Sequence, residues 1–412
     1  MTTGHSPPTE LPRLAVFHHE NSDSMMQVFL EAREWCRIVW VVGWSPDVPS
    51  LRALQRFGDV VDVSGMTYDE SVAHIVALRP DGVLVLSDQP MRLAADIADQ
   101  LGLPFHSPHS AALLTDKFLQ RSALLEAGVP VPAYAPVRAG DLETTVPFPA
   151  VLKPRTGAGS RDTYKVENPT DLAQAMAGCD PDEAFILEEW LADRAGAHTG
   201  SDVVSVETVV RRGIVEHVAV TGRFPFAPPF RETGSFLPSD LGAADKDAVR
   251  TLATAAAEAL HIREGILHTE IKMTPGGPRI VEVNGRIGGG ISDLLLRVGG
   301  PSLRMWGVRL ALGQDVGPIP AVGDSPIAYF RWIVAPLTAT TVEAVDGVKE
   351  LGELAGVDEV RLNRRPGDHV NPREGSPSDH VVRIDGMVAS PAELSHLIFE
   401  EIAATLQITW GY

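Results

Sequence analysis

The chain has 412 residues, 44% hydrophobic and 22% charged, which fits a folded protein of two or three lobes and argues against general disorder. Its 35 Lys and Arg against 54 Asp and Glu give a net charge of −19, so a polyanion such as nucleic acid is an unfavourable partner. The two cysteines, Cys36 and Cys179, offer neither metal-binding spacing nor a disulfide framework.

Residues 1–12 read as a loose, flexible polar tail. The densest apolar run, Ile38 to Trp44, falls far short of the roughly 20 residues that cross a bilayer, so a cytoplasmic location is expected. From Leu14 to Phe105, branched runs at Leu14–Phe17, Ile38–Val42, Val60–Val63 and Val83–Leu86 alternate with amphipathic stretches. That alternation predicts a parallel sheet with crossover helices. Ligands of such sheets gather beyond the carboxyl ends of the strands, here near His18 and Ser87-Asp88, although residues that only close turns would look the same.

Further on, Thr115 is placed to cap a helix running to about Ala127, which Gly128 ends. Phe148–Lys153 reads as a strand feeding the turn Pro154–Ser160, with another strand at Thr163–Val166. Strands at Ala184–Glu188, Val203–Val210 and Glu216–Thr221 precede a helix over Asp245–His261, where Val249, Leu252, Ala256 and Leu260 make an apolar stripe. A hairpin follows, His268–Thr274 and Pro278–Asn284 around Pro275-Gly-Gly. Ser390 with Glu393 has capping-box spacing for a final helix.

The hairpin carries the most chemistry. Strand alternation sends Glu282, Asn284 and Arg286 to one face, and Glu270 lies nearly opposite Glu282, with His268 and Lys272 on its own face. Two carboxylates and an amide oxygen at one spot are hard ligands suited to Mg²⁺ or Mn²⁺. Arg286 beside them can hold a phosphoryl or carboxylate oxygen, and Ile287-Gly-Gly-Gly290 lets backbone approach a ligand closely. An exposed hairpin of alternating charge is the competing reading.

Lys153 ends a strand just before Gly157-Ala-Gly-Ser160, whose bare backbone can present N–H groups to phosphates. The segment matches neither the P-loop nor the dinucleotide fingerprint, and a plain turn is compatible with it. Lys117 near a helix start is either a further phosphate cation or a solvated lysine. Ile186–Leu191 pairs an apolar strand with carboxylates and an aromatic, able to hold an adenine or simply to leave the core. Arg223–Glu232, with three aromatics, stiffening prolines and charged ends, suits a substrate wall or a packed loop.

Taken in order, Asp116-Lys117, Val151-Leu-Lys-Pro154 with its Gly loop, Leu187-Glu-Glu-Trp-Leu191, Ser205-Val-Glu207, His268-Thr-Glu-Ile271 and Glu282-Val-Asn-Gly-Arg-Ile-Gly-Gly289 resemble the ATP-grasp superfamily. His268-Thr-Glu-Ile-Lys272 and the Arg-Ile-Gly-Gly-Gly after the acidic pair look like the L-amino acid ligases and carnosine synthases, with biotin carboxylase more distant. The resemblance implies an α/β fold of α+β lobes. It has a Rossmann-like domain over 13–105, linker helices and a small lobe over 106–182, and a large antiparallel-sheet lobe over 183–412 whose C-terminal subdomain ends in a helix.

It also implies an ATP- and Mg²⁺-dependent ligase that joins an amino acid carboxylate to an amine through an acyl phosphate, releasing ADP and phosphate. Its partners would be small molecules, with no nucleic acid or membrane and with room for a homodimer. Another ATP-grasp enzyme, of biotin carboxylase or purine-precursor ligase type, and a non-catalytic ATP-binding protein are the alternatives.

Residue by residue, Lys117 and Lys153 would hold the α- and β-phosphates, and Gly157, Gly159 and Ser160 would close over the β/γ end. Glu188, Glu189, Trp190 and Leu191 would form the adenine hinge, with Glu207 a further nucleotide contact. Glu270, Glu282 and Asn284 would bind the metal, while Arg286, Gly288 and Gly289 would stabilise the acyl phosphate and the oxyanion of its adduct. Glu232 or His268 would orient or deprotonate the amine. One departure stands out. Relatives often read Glu-Tyr-Ser-Val-Glu where Val203-Val204 here precede Ser205-Val-Glu207, which leaves the ribose contact open, and strand alternation places Asp202 on the opposite face from Ser205.

Overall fold

The computed structural model describes residues 10–19, 24–43, 48–138, 140, 143–194 and 200–412; most of the expected tail, 1–9, and Trp44 at the end of the densest apolar run lie outside them. The first four branched runs form a parallel sheet in which β1 (Arg13–His18), β2 (Arg37–Val42), β3 (Asp59–Asp62) and β4 (Gly82–Val85) lie in the order β3-β2-β1-β4. Helices α1 (Met25–Ala32), α2 (Val48–Leu54) and α3 (Tyr68–Leu78) make the crossovers, and α4 (Met91–Leu101) follows β4. The central β1 buries Leu14 through Phe17, as expected of a strand covered on both faces.

Two helices lead to the small lobe, α5 (Pro108–Thr115) and α6 (Lys117–Glu126). The cap of α6 is Asp116 rather than Thr115: the Asp116 carboxylate accepts from the Phe118 and Leu119 amides at 2.9 and 3.1 Å, while the Thr115 hydroxyl donates back to the Ala111 carbonyl at the end of α5. Gly128, at φ +74°, lies just past the end of α6. Strands β5 (Tyr134–Val137), β6 (Ala150–Pro154) and β7 (Tyr164–Val166), helix α7 (Pro169–Ala177) and strand β8 (Phe185–Glu189) then build an antiparallel sheet in the order β5-β8-β6-β7. This lobe has its own core, centred on Leu152, Val166, Leu172 and Phe185.

The rest of the chain builds an eight-stranded antiparallel sheet in the order β13-β12-β9-β10-β11-β14-β17-β16 and a separate two-stranded sheet of β15 and β18. The elements, in sequence, are β9 (Val203–Arg211), β10 (Ile214–Arg223), β11 (Gly234–Leu237), α8 (Ala243–Ala259), β12 (Gly265–Thr274), β13 (Gly277–Asn284), α9 (Ile291–Arg297), α10 (Leu303–Ala311) and β14 (Ile327–Val334). Then come β15 (Thr341–Asp346), α11 (Val348–Leu351), β16 (Val357–Leu362), β17 (His380–Val388), α12 (Pro391–His396), a π-turn at Leu397–Glu401, α13 (Ile402–Thr405) and β18 (Gln407–Gly411). Val249, Leu252 and Ala256 of α8 pack with Val204, Val206 and Val210 of β9 in a core that continues into the parallel sheet.

The C-terminal helix is capped by Ser390, as its sequence indicates, but it is not the last element. Ile408 and Trp410 alternate on β18, pack against the neighbouring core and pair the strand with β15. Among the described residues no helix is long and apolar enough to cross a membrane.

The loop between β10 and β11 is tied down by a buried ion pair. Arg231 Nη1 lies 2.8 Å from Asp379 Oδ2 and donates to the Ala335 carbonyl at 2.5 Å, and the Asp379 side chain is fully buried. Removing one member of such a pair strands the other charge in a medium that cannot solvate it. Arg231→Met should therefore lower stability by about 3–5 kcal/mol in urea unfolding, and a loss under about 1 kcal/mol would show that the loop is anchored otherwise.

Candidate active site

A cleft of about 600 Å³ separates the small lobe from the large sheet. Val151 and Lys153 of β6 and the stretch Glu188–Leu191 line one side, and Glu270, Lys272 and Glu282 of the β12–β13 hairpin form the floor. Gly157–Arg161 covers one end, facing Phe226 and Phe230 from the loop after β10. Trp190 lies under the Lys165 ammonium, 4.4 Å from its ring centre, and 5.8 Å from the Phe230 ring.

The hairpin register is the central geometric fact. Glu270 pairs with Glu282, and His268 with Asn284, across the ladder, so all four side chains leave one face of the sheet. Each carboxylate has a cation beside it: Lys117 Nζ lies 3.0 Å from Glu282 Oε1, and Arg223 Nη2 lies 3.0 Å from Glu270 Oε1. Lys117 also donates to the Gly157 carbonyl at 2.8 Å, which ties the Gly-rich loop to the hairpin. Asn284 is buried and donates its amide nitrogen to the His268 carbonyl at 3.4 Å.

Behind the cleft a second network holds α6 to both lobes. Glu188 sits between Lys153 Nζ at 2.7 Å and Arg121 Nε at 2.9 Å, all three almost wholly buried. Burial pushes the Glu188 carboxyl up, but Arg121 and Lys153 outweigh it and hold the group below its usual range. For Lys153 burial prevails and lowers its pKa despite the Glu188 charge. The two shifts pull opposite ways on one contact; we take the ion pair as formed, because Glu188 has two cations within 3 Å and an uncharged carboxyl would leave both uncompensated. Arg121 also donates to the Val281 carbonyl, and Gln120 exchanges two 2.9 Å bonds with the Val283 backbone, so α6 covers the open edge of β13.

A third cluster lies beneath Glu270. His268, 3% exposed, places Nδ1 within 2.9 Å of both oxygens of Glu207, and Arg223 Nη2 approaches its Nε2 to 2.7 Å. Burial would lower the His268 pKa, but the Glu207 carboxylate outweighs it and pushes the ring up to about 9. A guanidinium at 2.7 Å, however, bonds Nε2 only through a lone pair. The geometry decides: the ring is the neutral Nδ1–H tautomer, and Arg223 supplies the positive charge that Glu207 draws towards it. Burial would likewise raise the Glu270 carboxyl, yet the Arg223 guanidinium beside it holds it far below the usual range.

Arg286 is reached from the other domain. Its Nε and Nη2 lie 2.9 and 2.7 Å from Asp88 Oδ2, so the carboxyl end of β4 does meet the region after the hairpin, and this pairing, despite burial, raises the arginine's pKa. Gly288 packs on His268 so closely that a Cβ would stand 2.3 Å from Nδ1, which only glycine permits.

Of the residues singled out by sequence, Lys117, Lys153, Gly157, Gly159, Ser160, Glu188, Glu189, Trp190, Leu191, Glu270 and Glu282 share the cleft lining, whereas Glu207, Glu232, His268, Asn284, Arg286, Gly288 and Gly289 lie off it. Asp202 is on the lining because it precedes β9, so strand alternation does not govern it. Arg121 is absent from the residues expected from sequence, and Arg223 figures there only as one charged end of the Arg223–Glu232 segment. For Arg121 a signal exists: Lys117, Gln120 and Arg121 recur at i, i+3 and i+4 on one face of α6.

Lys117 is the only bond described between the Gly157 backbone and the hairpin carboxylates. The rest of the loop is held by the Ser376 N–H, which donates to the Gly159 carbonyl at 3.0 Å, and by the Ser160 hydroxyl, which donates to the Phe230 carbonyl at 2.9 Å. Lys117→Met should therefore loosen its Gly157 end, seen as faster proteinase K cleavage next to Gly157; an unchanged cleavage rate there would mean that these two bonds suffice.

Comparison with known proteins follows the same lines. Residues 146–293 match the ATP-grasp domain model. The chain is 32% identical to carnosine synthase 1 of Gallus gallus over 263 residues, which is 57% of this chain but 28% of that protein, and it spans well under half the length of the carnosine synthases it matches. It is 23% identical to the L-arginine-specific L-amino acid ligase of Bacillus subtilis over 82% of this chain and 83% of that one. The crystal structure of an L-amino acid ligase from Bacillus licheniformis superposes with a TM-score of 0.80 at 20% identity, covering 98% of this chain and all of that one. The chain carries an ATP-grasp domain and has the ATP-grasp fold, and its relatives include proteins named carnosine synthase and L-amino acid ligase.

Proposed function

We propose that the protein is an ATP-dependent ligase that joins the carboxylate of an amino acid to an amine or a second amino acid through an acyl phosphate. The observation that carries this reading is the Glu270–Glu282 pair, in register on the cleft floor with one cation 3.0 Å from each. Like charges directly opposed across a ladder are unfavourable unless a cation is to be held there. Among the described residues no group of three His, Cys, Asp or Glu stands ready for a metal, so the fit is to an ion that takes most of its ligands from elsewhere. Mg²⁺ is such an ion: Glu270, Glu282 and the Asn284 amide oxygen would hold it, nucleotide phosphates and water would complete its shell, and it would supply charge neutralisation at the γ-phosphate.

The chain's own residues account for the rest. Lys117 and Lys153 bind the α- and β-phosphates, with Gly157, Gly159 and Ser160 closing over them. Glu188 positions Lys153, and Glu189, Trp190 and Leu191 present backbone and ring to the adenine. Asp202, on the lining, takes the ribose contact in place of the missing family glutamate. A carboxylate oxygen of the acid bonds to the γ-phosphorus as the bridging P–O bond to ADP breaks. Arg286 and the Gly288-Gly289 backbone then stabilise the acyl phosphate. The amine nitrogen bonds to the acyl carbon, phosphate leaves, and the ammonium proton passes to a base. Glu232 fits that role better than His268, since its carboxylate is a third exposed whereas both His268 ring nitrogens are engaged.

With ATP, Mg²⁺ and mixtures of amino acids and small amines, phosphate release should require both an acid and an amine, and mass spectrometry should find the corresponding amide. Release in no mixture, or release driven by bicarbonate alone, would refute the reading. Glu282→Gln should lower turnover by about 100-fold or more, measured as phosphate release, and retained activity would mean that the metal lies elsewhere.

A further inference from the structure

The ligase reading leaves one buried cation without a task. Arg223, at the end of β10, has a side chain 6% exposed and faces three groups: Glu232 Oε1 at 3.1 Å from Nη1, Glu270 Oε1 at 3.0 Å from Nη2 and His268 Nε2 at 2.7 Å from Nη2. Its Nε–H is buried and makes no hydrogen bond among the described residues. A buried N–H donor without an acceptor is costly, and native structures rarely keep one without a use. The side chain also lies on the substrate face of the sheet, since Arg223 pairs with Ser235, Thr221 with Ser205, and Ser205 with Glu270.

Its position is set from behind. Glu207, fully buried, accepts from His268 Nδ1, which fixes the Nε2 lone pair towards Arg223, and Thr221 adds a 3.4 Å bond to the same carboxylate. This is the arrangement by which a carboxylate orients an imidazole that in turn orients a third group. Glu270, by contrast, is shared: Arg223 and a divalent cation are alternative partners for one carboxylate.

Resting on the ligase reading, we propose that Arg223 is a catalytic residue positioned by Glu207 and His268. It neutralises Glu270 until a divalent cation takes that carboxylate. It then presents the released N–H together with the spare Nε–H to the carboxylate of the acid substrate and to the acyl phosphate made from it. A planar guanidinium offers two parallel donors to either group, which a lysine at this position would not. Glu232 keeps hold of Nη1 throughout, so the side chain pivots rather than leaves.

Competition at Glu270 and participation in turnover predict effects of opposite sign. In Arg223→Met, Mn²⁺ should bind the protein tighter by about three- to tenfold in the presence of ADP, followed by titration calorimetry, because a competing charge has gone. The same variant should lose about 100-fold or more in kcat while its KM for ATP stays within about threefold. His268→Leu should lose much of the same kcat, and His268→Gln, whose amide oxygen can accept from Arg223, should recover part of it. Mn²⁺ affinity that is unchanged or weaker in a variant with a normal urea midpoint overturns the competition, and an intact kcat overturns the catalytic role. If no acid–amine pair supports turnover in the wild type, the ligase reading fails while the Mn²⁺ comparison still decides the competition. Should Arg223→Met not fold, Arg223→Gln, which keeps an N–H for Glu232 and loses the charge, carries the same test.

Discussion

Two like charges in register constrain everything around them. Glu270 and Glu282 face each other across the β12–β13 ladder, an arrangement that costs stability wherever nothing intervenes. The fold answers by bringing one cation from each side, Lys117 from the start of α6 and Arg223 from the end of β10. Each cation carries a second element with it. Lys117 holds the Gly157 carbonyl, and Arg223 holds Glu232 in the aromatic loop, so neutralising the pair also assembles the walls of the cleft.

The supporting networks follow the same logic at greater depth. Glu188 is buried because two cations accompany it, and Arg121, one of them, also caps the exposed edge of β13. Glu207 is buried because His268 covers it. Such networks add little net stability compared with well-packed apolar groups, but they fix where each charge points. That is what a site handling an anionic nucleotide and an anionic acid requires, since the groups that offset repulsion must be in place before the reactants arrive.

Much of this was legible in the sequence, because periodicity and turn chemistry are local. The parallel sheet, the Gly-rich turn, the α8 stripe and the hairpin follow from branched runs, Gly and Pro, but the turn register alone would set Glu270 opposite Val281, and the bulge between Glu270 and Ile271 is what brings it opposite Glu282. What escaped depends on partners distant in the chain. Nothing near Arg223 announces that it meets Glu270, 47 residues on, nor does Arg286 announce Asp88, 198 residues back. The Thr115 cap failed for a local reason, as Asp116 is the better-placed oxygen, and the closing strand β18 was hidden behind the stronger helical signal before it.

The central claim is that a carboxylate oxygen of the acid is handed to phosphate as the amide forms. Supplying the acid substrate with both carboxylate oxygens labelled as ¹⁸O and analysing the released phosphate by mass spectrometry tests this directly. One ¹⁸O atom per phosphate, matched to amide formed, is the predicted result. Unlabelled phosphate accompanying amide would contradict an acyl phosphate and require a different activated species.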